Sequence, residues 1–294
     1  MSDELDLAEF AEEIGEQGPV TIAGLSTRGG PVDGIRTVMA PGGIVSFRPD
    51  EMTVRCGAGT PVSDLVGELA GAGQTVVIPP SGTVGGALAV GRSSIRRLGY
   101  GPLRDTLLQA RYVGAGGDVV KAGAPTVKNV SGFDLCRLLV GSHGTLGFIG
   151  EVILRTRPIG AFEQWFVARA DPDTLLRDLY RPTSLLWDGE RCWALLEGHP
   201  DDVAAQATAN GLEPSDPPAE LPSGGRWSLP PDELKTVAGS GRFVAEVGIG
   251  IVHHERPAPD REVDVAVLEL HRRIKARFDP TGRLNPGVDV LAVS

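Results

Sequence analysis

The spacing of apolar residues in the first half of the chain predicts short helices and strands separated by glycine-rich turns. Leu7, Phe10 and Ile14 recur at near-helical intervals among acidic residues, which predicts an amphipathic N-terminal helix. The other elements predicted here are a strand over 19–24, a helix over 61–72, a hairpin over 106–123, a helix over 134–140 and a strand over 148–156. Pro158 closes the last strand and marks a domain boundary.

The second half has the pattern of a smaller α+β unit. The predicted elements are strands over 161–169 and 191–197, helices over 172–179 and 201–210, a loop over 211–232, one long strand over 243–254 and a helix over 261–278. These patterns divide the chain into a first domain over 1–158, a small α+β cap over 159–250, and a C-terminal strand, helix and turn over 251–294.

Glycine is abundant, with 40 residues among 294, and two glycine loops directly follow predicted strands, at 25–30 and 82–94. Successive backbone N–H groups in such loops can bind phosphate, because glycine adopts the required dihedral angles and leaves no side chain in the way. Neither loop has the P-loop motif or the G-x-G-x-x-G fingerprint of dinucleotide-binding Rossmann folds. Taken alone, each is better explained as an ordinary tight turn.

The net charge is −10, from 28 Lys and Arg against 38 Asp and Glu. This balance argues against a nucleic-acid or anionic-membrane surface and favours small-molecule chemistry. No segment approaches the roughly 20 apolar residues of a membrane span, and the acidic start differs from a signal peptide, so we expect a cytoplasmic protein. Cys56, Cys136 and Cys192 are odd in number and widely spaced, which favours buried free thiols.

A series of motifs along the chain resembles the FAD-binding (PCMH-type) domain of the vanillyl-alcohol-oxidase superfamily. The motifs are GAGTPVSDL (57–65), TVGGALAVG (83–91), YGPLRD (100–105), VKNVSGFDL (127–135), GSHGTLGFIGEV (141–152) and FDPTGRLNPG (278–287). Within that superfamily they resemble the small FAD-binding subunits of bacterial glycolate oxidases. The resemblance covers residues 19–158 and 268–287.

The resemblance implies an α+β fold of two subdomains with FAD between them, a small α+β cap, and a pyrophosphate held by main-chain amides. We expect the FAD to be non-covalent, because no histidine lies in the first two loops and Cys56 and Cys136 lie away from them. The cofactor-binding residues that the resemblance indicates are Ser26, Thr27, Arg28, Gly29, Gly30, Pro79, Thr83, Val84, Gly85, Gly86, Ser93, Ser94, Arg104, Asp105, Val127, Lys128, Gly132, Gly144, Ile149 and Asn285.

The resemblance also implies a function: an FAD-dependent oxidoreductase acting on CH–OH groups, as the FAD-binding subunit of a glycolate-oxidase-like complex that oxidises a 2-hydroxy acid. Its partners would be a second flavoprotein subunit and an iron–sulfur subunit, which would also provide any membrane association. The short cap over 159–250 favours such a subunit over a self-sufficient enzyme. The alternatives are a non-catalytic flavin scaffold or relay subunit, and a stand-alone FAD oxidase of another alcohol.

A 2-hydroxy acid needs a cation for its carboxylate and a base for its hydroxyl proton. The candidate catalytic side chains are His253, His254 and Arg97, and surface positions are the alternative for each. Since neighbouring strand residues face opposite sides, at most one of the two histidines can face a cavity. No metal site is predicted, because the H-x-G-D-G-N-x-H segment of the large catalytic subunits is absent.

Overall fold

The computed structural model describes residues 4–124, 134–218, 220–260 and 262–291. The α-helices are α1 (Ala8–Ile14), α2 (Val62–Ala70), α3 (Val84–Val90), α4 (Arg97–Tyr100), α5 (Leu135–Leu139), α6 (Pro172–Asp178), α7 (Pro200–Ala209) and α8 (Val265–Phe278). The strands are β1 (Val20–Ala23), β2 (Arg36–Met39), β3 (Ile44–Arg48), β4 (Thr53–Gly57), β5 (Gln74–Val76), β6 (Leu107–Val113), β7 (Val119–Gly123), β8 (Phe148–Pro158), β9 (Phe162–Ala168), β10 (Ser184–Trp187), β11 (Cys192–Gly198), β12 (Glu213–Ser215), β13 (Gly225–Ser228), β14 (Phe243–Glu246) and β15 (Ile251–His254).

The chain forms two compact units. The first comprises Met1–Ser94, Pro102–Ile159 and Val263–Ser294, and the second comprises Ile95–Gly101 and Gly160–Glu262. The predicted boundary at 158/159 lies beside the crossing at 159/160, whereas the crossings at 94/95 and 101/102 lie within the predicted first domain. Strand β15 belongs to the sheet of the second unit, whereas the sequence pattern grouped it with the C-terminal region.

The first unit has two sheets and two cores, and its α+β class confirms the prediction. One sheet has the strand order β3-β4-β8-β6-β7, with β5 paired to the end of β8, and the other is the parallel pair β1-β2. Helices α2 and α3 pack on the first sheet through Val62, Leu65, Leu69 and Leu88, all of which are fully buried. The second core joins α1, β1 and the C-terminal turn through Phe10, Ile14, Val20 and Leu284. The two cores correspond to two subdomains.

The second unit is a seven-stranded antiparallel sheet with the order β12-β9-β11-β10-β14-β15-β13. Helices α6 and α7 cover one face, where Leu175 and Val203 pack among Phe166, Leu185 and Ala194. The opposite face carries a smaller apolar cluster of Leu186, Trp193 and Val244. Because residues alternate along each strand, the two faces have different chemistry.

Most predicted elements are present, and the errors have identifiable causes. The segment 211–232 is not all loop, because β12 and β13 form within it as the two edge strands of the sheet. The single strand over 243–254 is a hairpin of β14 and β15, which turns at Gly248 and Gly250 with φ of 77° and 84°. The sequence of these two strands reads as one continuous apolar run, because both strands are buried on both faces and so lack the alternation of apolar and polar residues.

Helix α3 was also missed by sequence patterning. Its residues, VGGALAV, contain two glycines, which disfavour a helix. Thr83 caps the helix, and Gly85 lies so close to Ala58 that an added Cβ would approach the Ala58 Cβ to 2.9 Å. Close packing against β4 and the turn that follows it therefore accounts for the glycine and overrides helix propensity.

Candidate functional site

A cleft in the first unit forms where the loop after β1, the start of α3 and the turn before β8 meet. Many of the sequence-predicted cofactor residues lie together along it, although they are far apart in the chain. The predicted residues that line the cleft are Ser26, Thr27, Arg28, Gly29, Gly30, Thr83, Gly85, Gly86, Gly144, Ile149 and Asn285. This convergence is the main reason to regard the cleft as the cofactor site.

The loop of residues 24–30 has free backbone donors. Among the described residues none of its amides makes a well-aligned hydrogen bond to another protein group, and pairing within the loop is limited to an isolated bridge between Thr27 and Gly29. Ser26 and Gly29 have φ of 51° and 107°, and such left-handed residues turn neighbouring amides toward one side, as in anion-binding nests. The loop packs tightly, since a Cβ on Gly82 would lie 2.3 Å from Thr27 Oγ1. This geometry suits a phosphate group.

The start of α3 contributes differently. The Val84 amide donates to Thr60 O at 2.9 Å, the Gly85 amide to Ala58 O at 2.7 Å, and the Gly86 amide to Thr83 Oγ1 at 3.1 Å. These donors are already satisfied, so the segment offers a small-residue surface to a ligand rather than free N–H groups. Both glycine loops were expected to bind phosphate through backbone amides. In the structure only the loop of residues 24–30 provides open amides.

Asn285 joins three segments at the end of the cleft. Its Oδ1 accepts hydrogen bonds from Thr21 Oγ1 at 2.8 Å and from the Ile22 amide at 3.2 Å, and its Nδ2 donates to His143 O at 2.6 Å. The residue has φ of 45°, a conformation that asparagine tolerates better than most side chains. Asn285 thus fixes the cleft wall by linking β1 to the turn before β8.

Arg283 anchors the turn that carries Asn285. The buried guanidinium donates to Gly18 O at 2.9 Å, to Gly15 O and Ala115 O at 3.0 Å, and to Ile14 O at 2.6 Å. The carbonyls of Ile14, Gly15 and Gly18 lie at the C-terminal end of α1 and just after it, where a cation is also favoured by the helix dipole, and Ala115 lies in the turn between β6 and β7. Arg283 is therefore structural, and it positions a cleft residue.

The cleft has a positive electrostatic character in a protein whose net charge is −10. None of the described residues lining it is acidic, whereas Arg28 and His143 both line it. Arg28 Nη2 donates to Pro79 O and Ser81 Oγ, each at 3.2 Å, which fixes the guanidinium. Burial lowers the pKa of Arg28, and burial together with the nearby Arg92 lowers the pKa of His143. The arrangement favours an anionic ligand.

Sequence reasoning missed several lining residues, mostly small ones. They include Ala58, Gly59, Ala89, Val90, Ser142 and His143. His143 has a left-handed φ of 49° and lies within the G-S-x-G-T-L-G element, so its place in that motif was the available signal. The alanines carried no signal, because only the tertiary packing of β4 and α3 brings them to the cleft.

Other predicted cofactor residues lie away from the cleft lining. Val84 is buried in the core, Pro79 acts through its carbonyl on Arg28, and Ser93 Oγ accepts from the Leu103 amide at 3.1 Å. Arg104 and Asp105 have half-exposed side chains and form an ion pair at 4.0 Å. Ser94 is half-buried and also lies outside the lining. Val127, Lys128 and Gly132 lie outside the described residues.

The three thiols are buried and free of disulfide bonds, as predicted. Burial raises the pKa of Cys56 and of Cys192 to about 12, and that of Cys136 to about 11. Since the thiolate is the reactive form, these cysteines are poor nucleophiles at neutral pH.

The candidate catalytic residues all lie in the second unit. His253 and His254 face opposite sides of β15, as the alternation rule predicted. His254 is 0% exposed and stacks on Trp227 at 4.0 Å between ring centroids; its Nδ1 accepts from the Arg256 amide and its Nε2 meets Ser240 Oγ, both at 2.9 Å. Both ring nitrogens are thus used in the core. His253 Nε2 lies 2.9 Å from Glu246 Oε1. The third candidate, Arg97, is the first residue of α4.

The described residues contain neither a cluster of metal ligands nor a membrane-spanning helix. No group of three or more His, Cys, Asp or Glu side chains is placed to hold a metal ion. None of the described helices combines the length and apolar character that a membrane crossing requires.

Comparison with known proteins places these features in context. Residues 6–123 match the family described as "FAD binding domain", and residues 232–288 match "FAD linked oxidases, C-terminal domain". Together the two models cover more than half of the chain.

Curated relatives match parts of the chain. Glycolate oxidase subunit GlcE of Escherichia coli K12 is 33% identical over 161 residues, which is 52% of this chain and 46% of that protein. D-lactate dehydrogenase of Archaeoglobus fulgidus is 36% identical over 114 residues, 37% of this chain and 25% of that protein. Glycolate oxidase subunit GlcD of Bacillus subtilis strain 168 is 41% identical over 76 residues, 26% of this chain and 16% of that protein. The match spans less than half the length of each relative.

Among solved structures, alkyldihydroxyacetonephosphate synthase superposes with a TM-score of 0.65 at 14% identity, covering 95% of this chain and 72% of that one. At this identity the likeness concerns the fold alone. It confirms the predicted α+β architecture.

Proposed function

Because the chain belongs to the FAD-linked oxidases, we propose that it is the FAD-binding subunit of an enzyme that oxidises a 2-hydroxy acid. The observation that carries this proposal is the acid-free cleft of the first unit, with open amides in the loop of residues 24–30 and Arg28 beside them. The relatives named for glycolate oxidase subunits and D-lactate dehydrogenase support the 2-hydroxy acid as the substrate class.

The residues of the cleft fit the cofactor. We assign the pyrophosphate to the open amides of residues 24–30 and to Arg28, since backbone donors and a guanidinium both favour phosphate. Gly85 and Gly86 leave room for the rest of the dinucleotide against α3, and Asn285 holds the cleft wall. Bound FAD would supply the redox chemistry by accepting a hydride from C2 of the substrate.

We propose that the FAD is held without a covalent bond. The described cysteines are buried and their thiols have raised pKa values, so they are poorly suited to attack the flavin. Acid precipitation of the holoprotein should therefore release all of the flavin into the supernatant. Flavin that stays with the precipitated chain would contradict this assignment.

We further propose that the second unit is the substrate-binding cap and that the protein acts with partner subunits in the cytoplasm. The partners are a second flavoprotein subunit and an iron–sulfur subunit that removes electrons. Two curated relatives are themselves named as subunits of glycolate oxidase, which supports this assignment.

The first test is a visible spectrum of the purified chain after reconstitution with FAD and dialysis, followed by anaerobic addition of glycolate or D-lactate. We expect two flavin bands that bleach with a 2-hydroxy acid. A chain that retains no flavin would overturn the proposal. Flavin that dithionite reduces but no 2-hydroxy acid reduces would assign the relay role, and bleaching by an aryl alcohol or a sugar instead would assign a different oxidase.

A further inference from the structure

His143 lies in the turn between α5 and β8, which forms one wall of the cleft in the first unit. Three residues of this turn have a left-handed φ: Gly141 at 84°, His143 at 49° and Gly144 at 70°. Two of the three are glycine, which adopts this conformation without steric cost, whereas His143 adopts it with a side chain. A non-glycine residue at a left-handed position is a reason to look for a role of its side chain.

The backbone of His143 is held on both sides by hydrogen bonds. Its amide donates to Ala89 O at 2.8 Å, and its carbonyl accepts from Asn285 Nδ2 at 2.6 Å. Asn285 Oδ1 in turn accepts from the Ile22 amide at 3.2 Å, and Ile22 lies two residues before the loop of residues 24–30. The turn therefore places His143 at a fixed position, one asparagine away from the segment with the open amides.

The imidazole of His143 has no corresponding partners. It is half-buried, and neither of its nitrogens makes a hydrogen bond to any residue that the structure describes. Polar groups removed from water are normally paired, as in His254, which uses both ring nitrogens, and in His253, which uses one. Since His143 lines the cleft, its two nitrogens remain available to a ligand bound there.

The charged side chains closest to His143 on the cleft side are cations. Arg92, which follows α3, acts electrostatically on the ring, and Arg28 lines the cleft from the loop of residues 24–30. The lining residues that β1, α3 and β8 contribute are not ionisable. Burial and the charge of Arg92 together lower the pKa of His143, so the ring of the apoprotein is neutral at pH 7.

The C-terminal segment brings further charges, but none of them lines the cleft. Lys275 donates to Thr145 O at 2.7 Å and to Asp279 Oδ2 at 2.6 Å, so the ammonium and the carboxylate neutralise one another. Arg283 is committed to carbonyls around the end of α1. Because no described carboxylate lines the cleft, the counter-charge that would hold a proton on His143 has to come from a ligand.

We propose that His143 binds the pyrophosphate of FAD as an imidazolium, so that the protein takes up a proton from solvent when it binds FAD and returns it when FAD dissociates. The inference rests on the proposed site for FAD. The pyrophosphate carries two negative charges, and Arg28 is the one described arginine or lysine that lines the cleft. A protonated His143 supplies the second positive charge and donates a charge-assisted hydrogen bond to a phosphate oxygen. No covalent bond of the cofactor changes.

This coupling fixes the sign of the pH dependence. A bound dianion favours the charged ring and so raises the pKa of His143, and by reciprocity the proton raises the affinity for FAD by the same factor. Below the pKa of the apoprotein and above that of the complex the affinity is constant. Between the two it falls as pH rises, by up to about 10-fold per pH unit.

The test is a titration of the full-length apoprotein with FAD, followed by flavin fluorescence at several pH values between 6 and 8. We expect the Kd for FAD to rise about 10-fold from the lowest to the highest pH. Calorimetric titration at pH 7 in Pipes and in Hepes, which differ in ionisation enthalpy, counts the protons. We expect an uptake of about 0.5–1 proton per FAD.

Two substitutions at this position have opposite expected results. His143→Gln keeps polar atoms but no charge, so its Kd should be independent of pH and match that of the unmodified protein at pH 8. His143→Lys is charged throughout, so its Kd should stay near the low value of the unmodified protein at pH 6. His271→Gln is the matched control, because His271 is a half-buried histidine of the same unit that lies in α8, outside the cleft lining. It should keep the full pH dependence.

Phosphorus-31 NMR of bound FAD locates the proton. The pyrophosphate signals should shift with pH together with the nitrogen-15 signals of the His143 ring, and in His143→Gln they should stay constant. Each variant should keep the circular dichroism spectrum of the unmodified protein, since the backbone hydrogen bonds of residue 143 do not involve the ring.

The outcomes distinguish the inference from the function on which it rests. A Kd of the unmodified protein that does not change with pH overturns the inference, and so does a full pH dependence in His143→Gln. Pyrophosphate signals that stay constant while the His143 ring takes up its proton would also overturn it, because the imidazolium would then lie away from the phosphates. If the apoprotein binds no FAD at any pH, the proposed function itself fails.

Discussion

The two units of this protein build their candidate sites from different materials. The cleft of the first unit consists of glycines, alanines and backbone amides, with Arg28 as its cationic side chain and with His143, whose pKa is lowered by burial and by Arg92. The sheet face of the second unit carries Arg226, Glu246 and His253, and the imidazole of His253 lies 2.9 Å from the carboxylate of Glu246. A large cofactor that is bound mostly through its phosphates needs close backbone approach, whereas proton transfer needs an oriented titratable group.

The difference implies that cofactor binding and substrate chemistry can be perturbed separately. Substitutions in the second unit should leave FAD affinity intact, and substitutions in the cleft should leave the fold of the second unit intact. The chain offers a convenient means of observation: Trp165, Trp187, Trp193 and Trp227 are its four tryptophans and all lie in the second unit. Tryptophan fluorescence therefore reports on the second unit, and flavin absorbance reports on the cleft.

The largest expected effect is on the stability of the second unit. His254→Ala removes a fully buried ring, its stacking on Trp227 and two hydrogen bonds, and we expect a loss of about 3–4 kcal/mol, as for other large-to-small core substitutions. Urea unfolding followed by tryptophan fluorescence measures it. His199→Ala, at an exposed histidine that starts α7, should lose less than about 1 kcal/mol. FAD affinity should stay constant in both, and its loss in His254→Ala would show that the sites are not separable.

The next effect tests the loop of residues 24–30. In Gly82→Ala the new Cβ would lie 2.3 Å from Thr27 Oγ1 and 2.7 Å from Arg28 Nη1, so the loop must shift, and we expect FAD to bind about 100-fold more weakly, or about 2.7 kcal/mol. Gly34→Ala is a matched control, because Gly34 has almost the same φ, 74° against 75°, and nothing lies within 4 Å of its Cβ position. Titration of apoprotein with FAD measures both, and an equal loss in the two variants would attribute the effect to backbone strain alone.

A smaller effect is expected from the cleft cation. Arg28→Met should weaken FAD binding about 10-fold, or about 1.4 kcal/mol, and make the remaining affinity less sensitive to salt. Arg104→Met is the control, because the sequence also suggested Arg104 but its side chain is half exposed and outside the cleft lining. If Arg104→Met weakens binding as much as Arg28→Met, the pyrophosphate assignment is wrong.

The smallest effect concerns the pH dependence of apoprotein stability. Burial and Arg92 lower the pKa of His143 in the folded protein, so near and below pH ~6.5 the unfolded chain takes up this proton more readily than the native state. Stability is therefore lost as pH falls through that value, and the loss levels off below the native pKa. Denaturation followed by circular dichroism between pH 5 and 8 should show a shallower slope for His143→Gln. An identical slope would mean that His143 is not protected from protonation.

Sequence reasoning succeeded where a signal was local. The Gly-rich loop at 25–30 and the motif turn around Gly144 both reached the cleft, because glycine at a left-handed φ is recognisable from composition and spacing. It failed where the structure of a segment depends on packing or hydrogen bonding with residues far away in the sequence. Helix α3 contradicts its own propensity, Arg104 and Asp105 lie outside the cleft lining, and the strand pair β14 and β15 reads as one apolar run.

The catalytic candidates show the same limit. Alternation along β15 correctly predicted that the two histidines face opposite sides of the sheet, but it could not predict which of them keeps a ring nitrogen without a partner. The choice depends on Glu246 and Ser240, which lie 7 and 14 residues from their histidine partners. Arg226 carried no signal at all, since its position beside His253 comes from the pairing of an edge strand within a segment that reads as loop.

By itself, the sequence determined the α+β class, the N-terminal helix, the positions along the chain of many strands and helices, and the glycine loops that meet at the cleft, because each is encoded by periodicity, turn chemistry or a local motif. Only the tertiary structure decided that the amides at the start of α3 are already satisfied, that Asn285 closes the cleft from the far end of the chain, and that His253 rather than His254 keeps a free nitrogen. Hydrogen-bond partners across long sequence separations set these properties, and no local pattern records them.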